Sequence, residues 1–485
     1  MKVLLLNQPW ICDSKKYGVR AGVRWAHIRE RDRSTPYFPF PFSLAYATSY
    51  LASRGIQPVL RDSIALEETK EQALAYIRHD NFDVVVLETS TASIAIDMAF
   101  CDELKSQKPG TVVCMVGQHS TAMPEDVLRS CAVDYVLIGE YDRSLFNLVI
   151  ALAAQQPIER MRGIAFRQGD IIINNGREEL VPFDDLPPPY RDRNLVRKYN
   201  ESPLRGFPNL PMLTSRGCSY KCTFCIEAVV NYGARSNFRY RSMEKVVAEM
   251  RSLIDDYGVQ EIYFDDAFFT PRHAEEVSKT ILDNKLKLFW SCWIDRSTSQ
   301  ETLALMRKSG CSGVKFGVET FDETIGLGVK KKVVPKVVKD LVGRCRRAGL
   351  LTHASFIFGL PGETKESMKH TLQSAMALGT STTQFSVATP LPGTEFFEQA
   401  KQNNWLTTYD WSRYEGGGNS SVLKYDDLTP EDLKAAVRRA RKLKILRLFK
   451  DPRLLAIFTI KTIKMMGFRG FLADASRKAV FLARN

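Results

Sequence analysis

Residues 215–225 read SRGCSYKCTFC and put Cys218, Cys222 and Cys225 on one short loop. Structural zinc takes four protein ligands, and catalytic zinc takes three, usually His or carboxylate, plus water. Three thiols without a neighbouring histidine suit zinc poorly. A [4Fe–4S] cluster held by three cysteines keeps one iron open. The missing ligand then becomes a place where something else binds.

Outward from this loop, strand-like runs end at Thr214, Asp265, Asp295, Glu319, Gly359 and Thr389, with helical stretches between them. Six such units predict a partial (β/α)6 barrel of the TIM type over residues 206–408, whose sites lie at the carboxyl ends of its strands. Upstream, residues 1–155 alternate KVLLLN (2–7), PVLRDS (58–63), FDVVVLET (82–89), TVVCMVG (111–117) and DYVLIG (134–139) with amphipathic helical stretches. Short connections between them predict a doubly wound, Rossmann-like α/β domain. Ligands of such sheets sit beyond the strand ends, here Thr89, Ser90, Gly117, Gln118, His119, Gly139 and Glu140. No Gly-x-Gly-x-x-Gly follows the first strand, which disfavours a dinucleotide. Residues 156–205 read as a linker with a small hairpin, GIAFRQGDIIIN, and residues 409–485 as a helical C-terminal region.

The 485 residues are 44% apolar and 25% charged, within the range of ordinary globular chains, and their length suggests two to four domains. The seven other cysteines are scattered singly, and Met1 leads into a strand instead of a signal peptide. A reducing, cytoplasmic setting is the expectation. No apolar run approaches the ~18 residues of a membrane span. Residues 433–485 hold 15 Lys/Arg and 2 Asp/Glu, so the whole net charge of +13 sits there. Residues 431–472 alternate Lys and Arg with Leu, Ile, Phe and Met at helical spacing. That pattern fits a cap on the barrel, a peripheral contact with the inner membrane face, or a nucleic-acid patch. No nucleic-acid motif accompanies it, so nucleic acid is the least favoured partner.

The spacing Cys-x3-Cys-x2-Cys, with Phe224 before its last member, resembles the signature of the radical S-adenosylmethionine (radical SAM) family. EIYFDDAFFT (261–270), VKFGVET (314–320), FIFGLPGET (356–364) and TPLPGTEFF (389–397) resemble its later strand motifs, and Arg241-Ser242 its helix start. The resemblance implies that Cys218, Cys222 and Cys225 hold a [4Fe–4S] cluster whose open iron is chelated by S-adenosylmethionine (SAM). One electron from an external reductant such as flavodoxin or ferredoxin then cleaves SAM to a 5′-deoxyadenosyl radical. By motif position, Phe224 is a cofactor contact and Glu319 faces the ribose or amino group of SAM. Asp265 or Asp266 faces its methionine amine, and the backbone at Gly359–Gly362 its adenine.

The first domain resembles the cobalamin (vitamin B12) domain of one branch of that family, over residues 41–63, 114–128 and 134–145. The Asp-x-His-x-x-Gly motif is absent, so His119 is expected at a turn or the corrin edge and not as a cobalt ligand. Two cofactors imply C-methylation of an unactivated carbon. Cyclisation or rearrangement without net methyl transfer, or a vestigial first domain, are the alternatives. The resemblance to enzymes of hopanoid and tetrapyrrole pathways implies a small lipid-like or tetrapyrrole-like substrate. A methylthiotransferase would need a second cysteine triad, which Cys12, Cys101, Cys114 and Cys131 do not offer. The sequence assigns no residue to the chemical step itself.

Overall fold

The computed structural model describes residues 1–13, 16–21, 25–30, 38–199, 206–227, 229–230, 238–416 and 420–484. The chain opens with β1 (Val3–Asn7), buried along its whole length. It then leaves the sheet for three antiparallel strands, β2 (Ile11–Asp13), β3 (Lys16–Ala21) and β4 (Trp25–Glu30). It returns through the helix Phe42–Ala52 to β5 (Pro58–Asp62), β6 (Val84–Thr89), β7 (Val112–Gly117) and β8 (Tyr135–Leu137). These pair in parallel in the order β8-β7-β6-β1-β5. Burial on both faces explains why β1 and β6 read as unbroken apolar runs.

The hairpin β9 (Ile164–Gln168) and β10 (Ile171–Asn174) pairs antiparallel with β8 and extends this sheet to seven strands. The segment read as a linker therefore contributes sheet edge. Strand order reverses where β1 meets β6, and that crevice is where doubly wound sheets take ligands. Here Arg20 of β3 reaches the chain just beyond β1. Arg20 is buried and pairs with Asp97, and it donates to Asn7 Oδ1 at 3.0 Å and to the Gln8 carbonyl at 2.9 Å.

The second sheet is a parallel curl of β11 (Asn209–Met212), β14 (Glu261–Phe269), β15 (Phe289–Ile294), β16 (Cys311–Glu319), β17 (Leu351–Phe358) and β18 (Thr382–Val387), in that order. Two short strands, β12 (Ser215–Arg216) and β13 (Arg239–Tyr240), flank the cysteine loop and pair with each other. Amphipathic helices cover the outer face, where Phe264, Cys292, Val314, Phe316 and Phe356 join one large apolar core. The helix Pro430–Lys450, opened by a Thr429/Asp432 capping box, lays Leu433 and Ala440 against Phe358 and Leu360 at the barrel's open side. The basic tail is thus a barrel cap in its first half. The following helix Pro452–Arg484, kinked at Gly467, exposes Ile460, Phe468, Leu472 and Val480. Among the described residues no helix is long and apolar enough to cross a membrane.

Candidate functional site

The cysteine loop is gripped from three sides. At its start, Asp266 accepts from the backbone N–H and hydroxyl of both Thr214 and Ser215, with Thr214 Oγ1 at 2.9 Å and Ser215 Oγ at 2.6 Å. Thr214 also meets His273 Nε2 at 2.7 Å, and burial lowers that imidazole to about 4, so it is neutral near pH 7. In the middle, Thr223 N–H donates to the Val329 carbonyl (3.2 Å), while its own carbonyl accepts from Phe396 N–H (3.0 Å). Behind the loop, Phe224 packs on the apolar cluster that contains Phe358 and Leu433. Arg241, after the loop, is buried in an ion pair with Glu249, which also pairs with Arg191 at 3.2 Å.

Cys218, Cys222 and Cys225 are half-buried, with Cys225 N–H donating to the Cys222 carbonyl. Burial raises all three thiols, Cys218 to about 11 and Cys225 to about 12, with Glu227 and then the neighbouring thiols adding to the rise at Cys218 and Cys225. Lys331 works against it at Cys218 and Cys222. Among the described residues no group of three His, Cys, Asp or Glu gathers closely enough for a single metal ion. The fit to a cluster rests on donor chemistry: three thiols on one loop, no histidine and a neighbouring cation.

Strand alternation separates two adjacent carboxylates that sequence alone could not. Asp266 points to the outer core, where burial raises it to about 6 against four hydrogen bonds from the loop. It is a support of the loop, which corrects its expected place on the SAM side. Asp265, half-buried, lies on the opposite, concave face. Glu319 ends β16 at a register shift with φ +68°, and its carboxylate meets Lys331 Nζ at 3.2 Å. Gly359 and Gly362 both have positive φ, +86° and +83°, so backbone conformation demands glycine at each. The Gly359 carbonyl accepts from Tyr425 Oη at 2.7 Å, and Glu363 caps the Gly359 and Leu360 N–H groups.

The same concave face carries residues that the sequence reading did not single out, some of them outside every motif stretch. Trp293, Lys315, His353 and Thr382 occupy one row across four strands. Trp293 Nε1 donates to Tyr263 Oη at 2.6 Å, Lys315 Nζ stands 4.0 Å from the Tyr263 ring, and His353 meets Thr382 at 2.8 Å. Period-two spacing on separate strands hides such a row from any reading along the chain.

In the first domain, Gly117 holds φ +100°, and a Cβ there would lie 2.5 Å from the Thr89 carbonyl. Gly139 also has positive φ. The hydroxyls of Thr89 and Ser90 are spent inside the fold, on Val116 and Ser120 and on Ser93. His119 is buried, its ring 5.2 Å from that of Trp411, and burial lowers it to about 4. Glu140 departs from its expected place at the corrin, because its carboxylate is taken by Arg216 (2.7 Å) and Arg239. Gln8 Oε1, Glu88 Oε1, Gln118 Oε1 and Tyr141 Oη, by contrast, are buried at the strand ends without a hydrogen-bond partner. Burial raises Glu88 to about 7. Unmet polar atoms at a strand-end surface fit a ligand rimmed with amide groups, as a corrin is.

The Arg216–Glu140 pair turns a strand-end surface of the doubly wound domain toward the three-cysteine loop of the partial barrel. Residues 212–375 match the model of the radical SAM superfamily, and residues 33–149 that of the B12 binding domain. The chain is 30% identical over 405 residues to an uncharacterized methyltransferase of Pyrococcus horikoshii, covering 82% of this chain and 86% of that one. It is 26% identical over 344 residues to the anaerobic magnesium-protoporphyrin IX monomethyl ester cyclase of Cereibacter sphaeroides, covering 68% and 55%. Its fold superposes on the radical SAM methyltransferase TsrM of Kitasatospora setae with a TM-score of 0.68 at 18% identity, covering 91% and 90%. The chain belongs to the radical SAM superfamily, in the branch with a B12 binding domain ahead of the barrel. It is a cobalamin-dependent radical SAM enzyme of the methyltransferase kind, with a [4Fe–4S] cluster, SAM and cobalamin as cofactors, a small-molecule substrate and an external reductant.

Proposed function

We propose that the chain methylates an unactivated carbon of a hydrophobic small molecule bound between its two domains. The observation that most supports this is the Arg216–Glu140 ion pair. It ties the end of β8 to the strand two residues before Cys218, so the strand-end surface and the cysteine loop face a common space. When bound, the cluster supplies the electron that cleaves SAM to a 5′-deoxyadenosyl radical, and cobalamin supplies the methyl group. Cys218, Cys222 and Cys225 would ligate three irons and leave the fourth for SAM. Glu319 and Asp265 would orient the ribose and amine, with the Gly359–Gly362 turn beside the adenine. Gly117, Gln118, Gly139 and the unmet atoms of Gln8, Glu88 and Tyr141 would receive the corrin.

Tyr263 and the Trp293–Lys315–His353 row beside it would line the substrate space, their aromatic surface suiting an extended apolar or macrocyclic molecule. Flavodoxin or ferredoxin would supply the electron in a cytoplasmic setting. Exposed Phe449, Ile460, Phe468 and Leu472, set among lysines and arginines, support a peripheral contact with an anionic inner membrane face. Sedimentation with phosphatidylglycerol vesicles checks that contact: retention of the full-length protein that fades with salt supports it, and no retention removes it.

The reaction is tested with methyl-deuterated SAM, dithionite or flavodoxin, and lipid and tetrapyrrole extracts as substrate. A product bearing the deuterated methyl, with 5′-deoxyadenosine and S-adenosylhomocysteine both formed, is expected. 5′-Deoxyadenosine alone, with an unlabelled product, would sink methyl transfer and leave cyclisation or rearrangement.

A further inference from the structure

We propose that Lys331 is a positioning residue that serves the cysteine loop and Glu319 together, aiming the Glu319 carboxylate and fixing a positive charge beside the cluster. The inference rests on the reading that Cys218, Cys222 and Cys225 hold the cluster and that Glu319 faces SAM.

Four observations carry it. Lys331 Nζ is 3.2 Å from Glu319 Oε1, with both side chains largely buried. The ion pair lies against the β16 backbone, where a Cβ on Gly317 would stand 2.2 Å from Glu319 Oε1 and 3.0 Å from Lys331 Nζ. Any other residue at 317 would force the pair apart. The backbone just before Lys331 is the one that holds the cysteine loop: Val329 accepts from Thr223 N–H, and Lys331 N–H is fixed at 2.8 Å on the Gly326 carbonyl. Finally, the ammonium stands 5.4 Å from the ring of Tyr220, two residues after Cys218 within the loop. One short segment therefore registers the loop, a carboxylate on the SAM side and a buried cation.

Two physical consequences follow. A paired carboxylate at a strained φ holds one orientation, whereas an unpaired one in a half-buried site turns toward water. A fixed cation near a cluster favours its reduced, more negative state, because charges interact strongly where water is scarce.

The test uses anaerobically reconstituted full-length protein and reads iron per chain, the cluster midpoint potential by EPR-monitored titration, and SAM affinity by equilibrium binding. Lys331→Met is expected to shift the midpoint to a more negative value and weaken SAM binding about tenfold. Lys331→Arg restores both. Glu319→Gln is expected to weaken SAM binding while shifting the midpoint the opposite way, to a more positive value. A packing role would not reverse sign between the two variants. Unchanged midpoint and SAM affinity in Lys331→Met with a full cluster would overturn the proposal. If Lys331→Met loads no cluster, Glu319→Gln decides, and an unshifted midpoint there overturns it equally. Wild-type protein that binds no four-iron cluster would instead refute the underlying cluster reading.

Discussion

Asp266 receives four donors from Thr214 and Ser215, so Asp266→Ala strands buried N–H and O–H groups at the root of the cysteine loop. The expected cost is about 3 kcal/mol or more, together with a fall in iron bound per chain. Asp265→Ala, on the concave face, is expected to keep its iron and lose SAM affinity instead. Iron assay and SAM titration on the two variants separate these outcomes. Glu363 offers a second residue-level prediction. Burial raises it from an ordinary 4.5 to about 8, and the N–H groups of Gly359 and Leu360 oppose that only in part. The folded protein keeps the proton that the unfolded chain releases near 4.5. The stability this confers is complete below about pH 4.5 and is lost as pH rises through about 8. Glu363→Gln removes that pH dependence, so the stability difference between wild type and variant should change by a few kcal/mol at most from pH 5 to 8. Parallel melting curves across that range would contradict the assignment. Both acids sit in recognisable motif stretches, yet which neighbour faces inward depends on strand register that one sequence does not display.

At the scale of elements, the parallel strands of the first domain were legible because burial on both faces writes itself as unbroken apolar runs. The three-stranded β2–β4 sheet was not. Its strands mix Lys, Arg and Glu with single aromatics, and its place is set by the non-local Arg20–Asp97 pair. Arg20→Met leaves Asp97 without its counter-ion in a site of 0% exposure, with only Ser93 and Gln8 still donating to it, and an expected loss of about 3–5 kcal/mol. Hydrogen exchange should then rise across residues 16–21 and 25–30 before the parallel sheet opens. Gly117→Ala tests the turn after β7. Its positive φ and the Thr89 carbonyl 2.5 Å from the new methyl group predict a loss of about 2 kcal/mol in thermal unfolding, with corrin retention impaired. The row from Trp293 to Thr382 and the Lys331 segment stayed hidden for a related reason: each is assembled across strands or loops, and no local pattern joins its members.

Across the whole molecule, the two domains meet through charged side chains at the ends of their sheets. Arg216 reaches both Glu140 and Asp142, and Arg177 donates to the Val230 carbonyl at 2.9 Å. Glu140 looked like a corrin contact because it ends a strand where ligands usually sit, and only the assembled domains reveal its partners. Glu140→Ala removes the carboxylate that Arg216 and Arg239 share beside the cysteine loop, leaving them Asp142 and the Val181 carbonyl. It is expected to leave 5′-deoxyadenosine formation largely intact while the methylated product falls at least several-fold, a ratio read by mass spectrometry. Equal loss of both would place the defect in the cluster loop alone. The central claim is that one chain brings a four-iron cluster and a corrin to a shared space. It is tested most directly by reconstituting the protein anaerobically with iron, sulfide and hydroxocobalamin, removing unbound cofactor, and quantifying iron and corrin per chain. The account predicts about four irons and about one corrin, with iron lost from a Cys218/Cys222/Cys225→Ala variant that retains its corrin. Four irons with no corrin would contradict it.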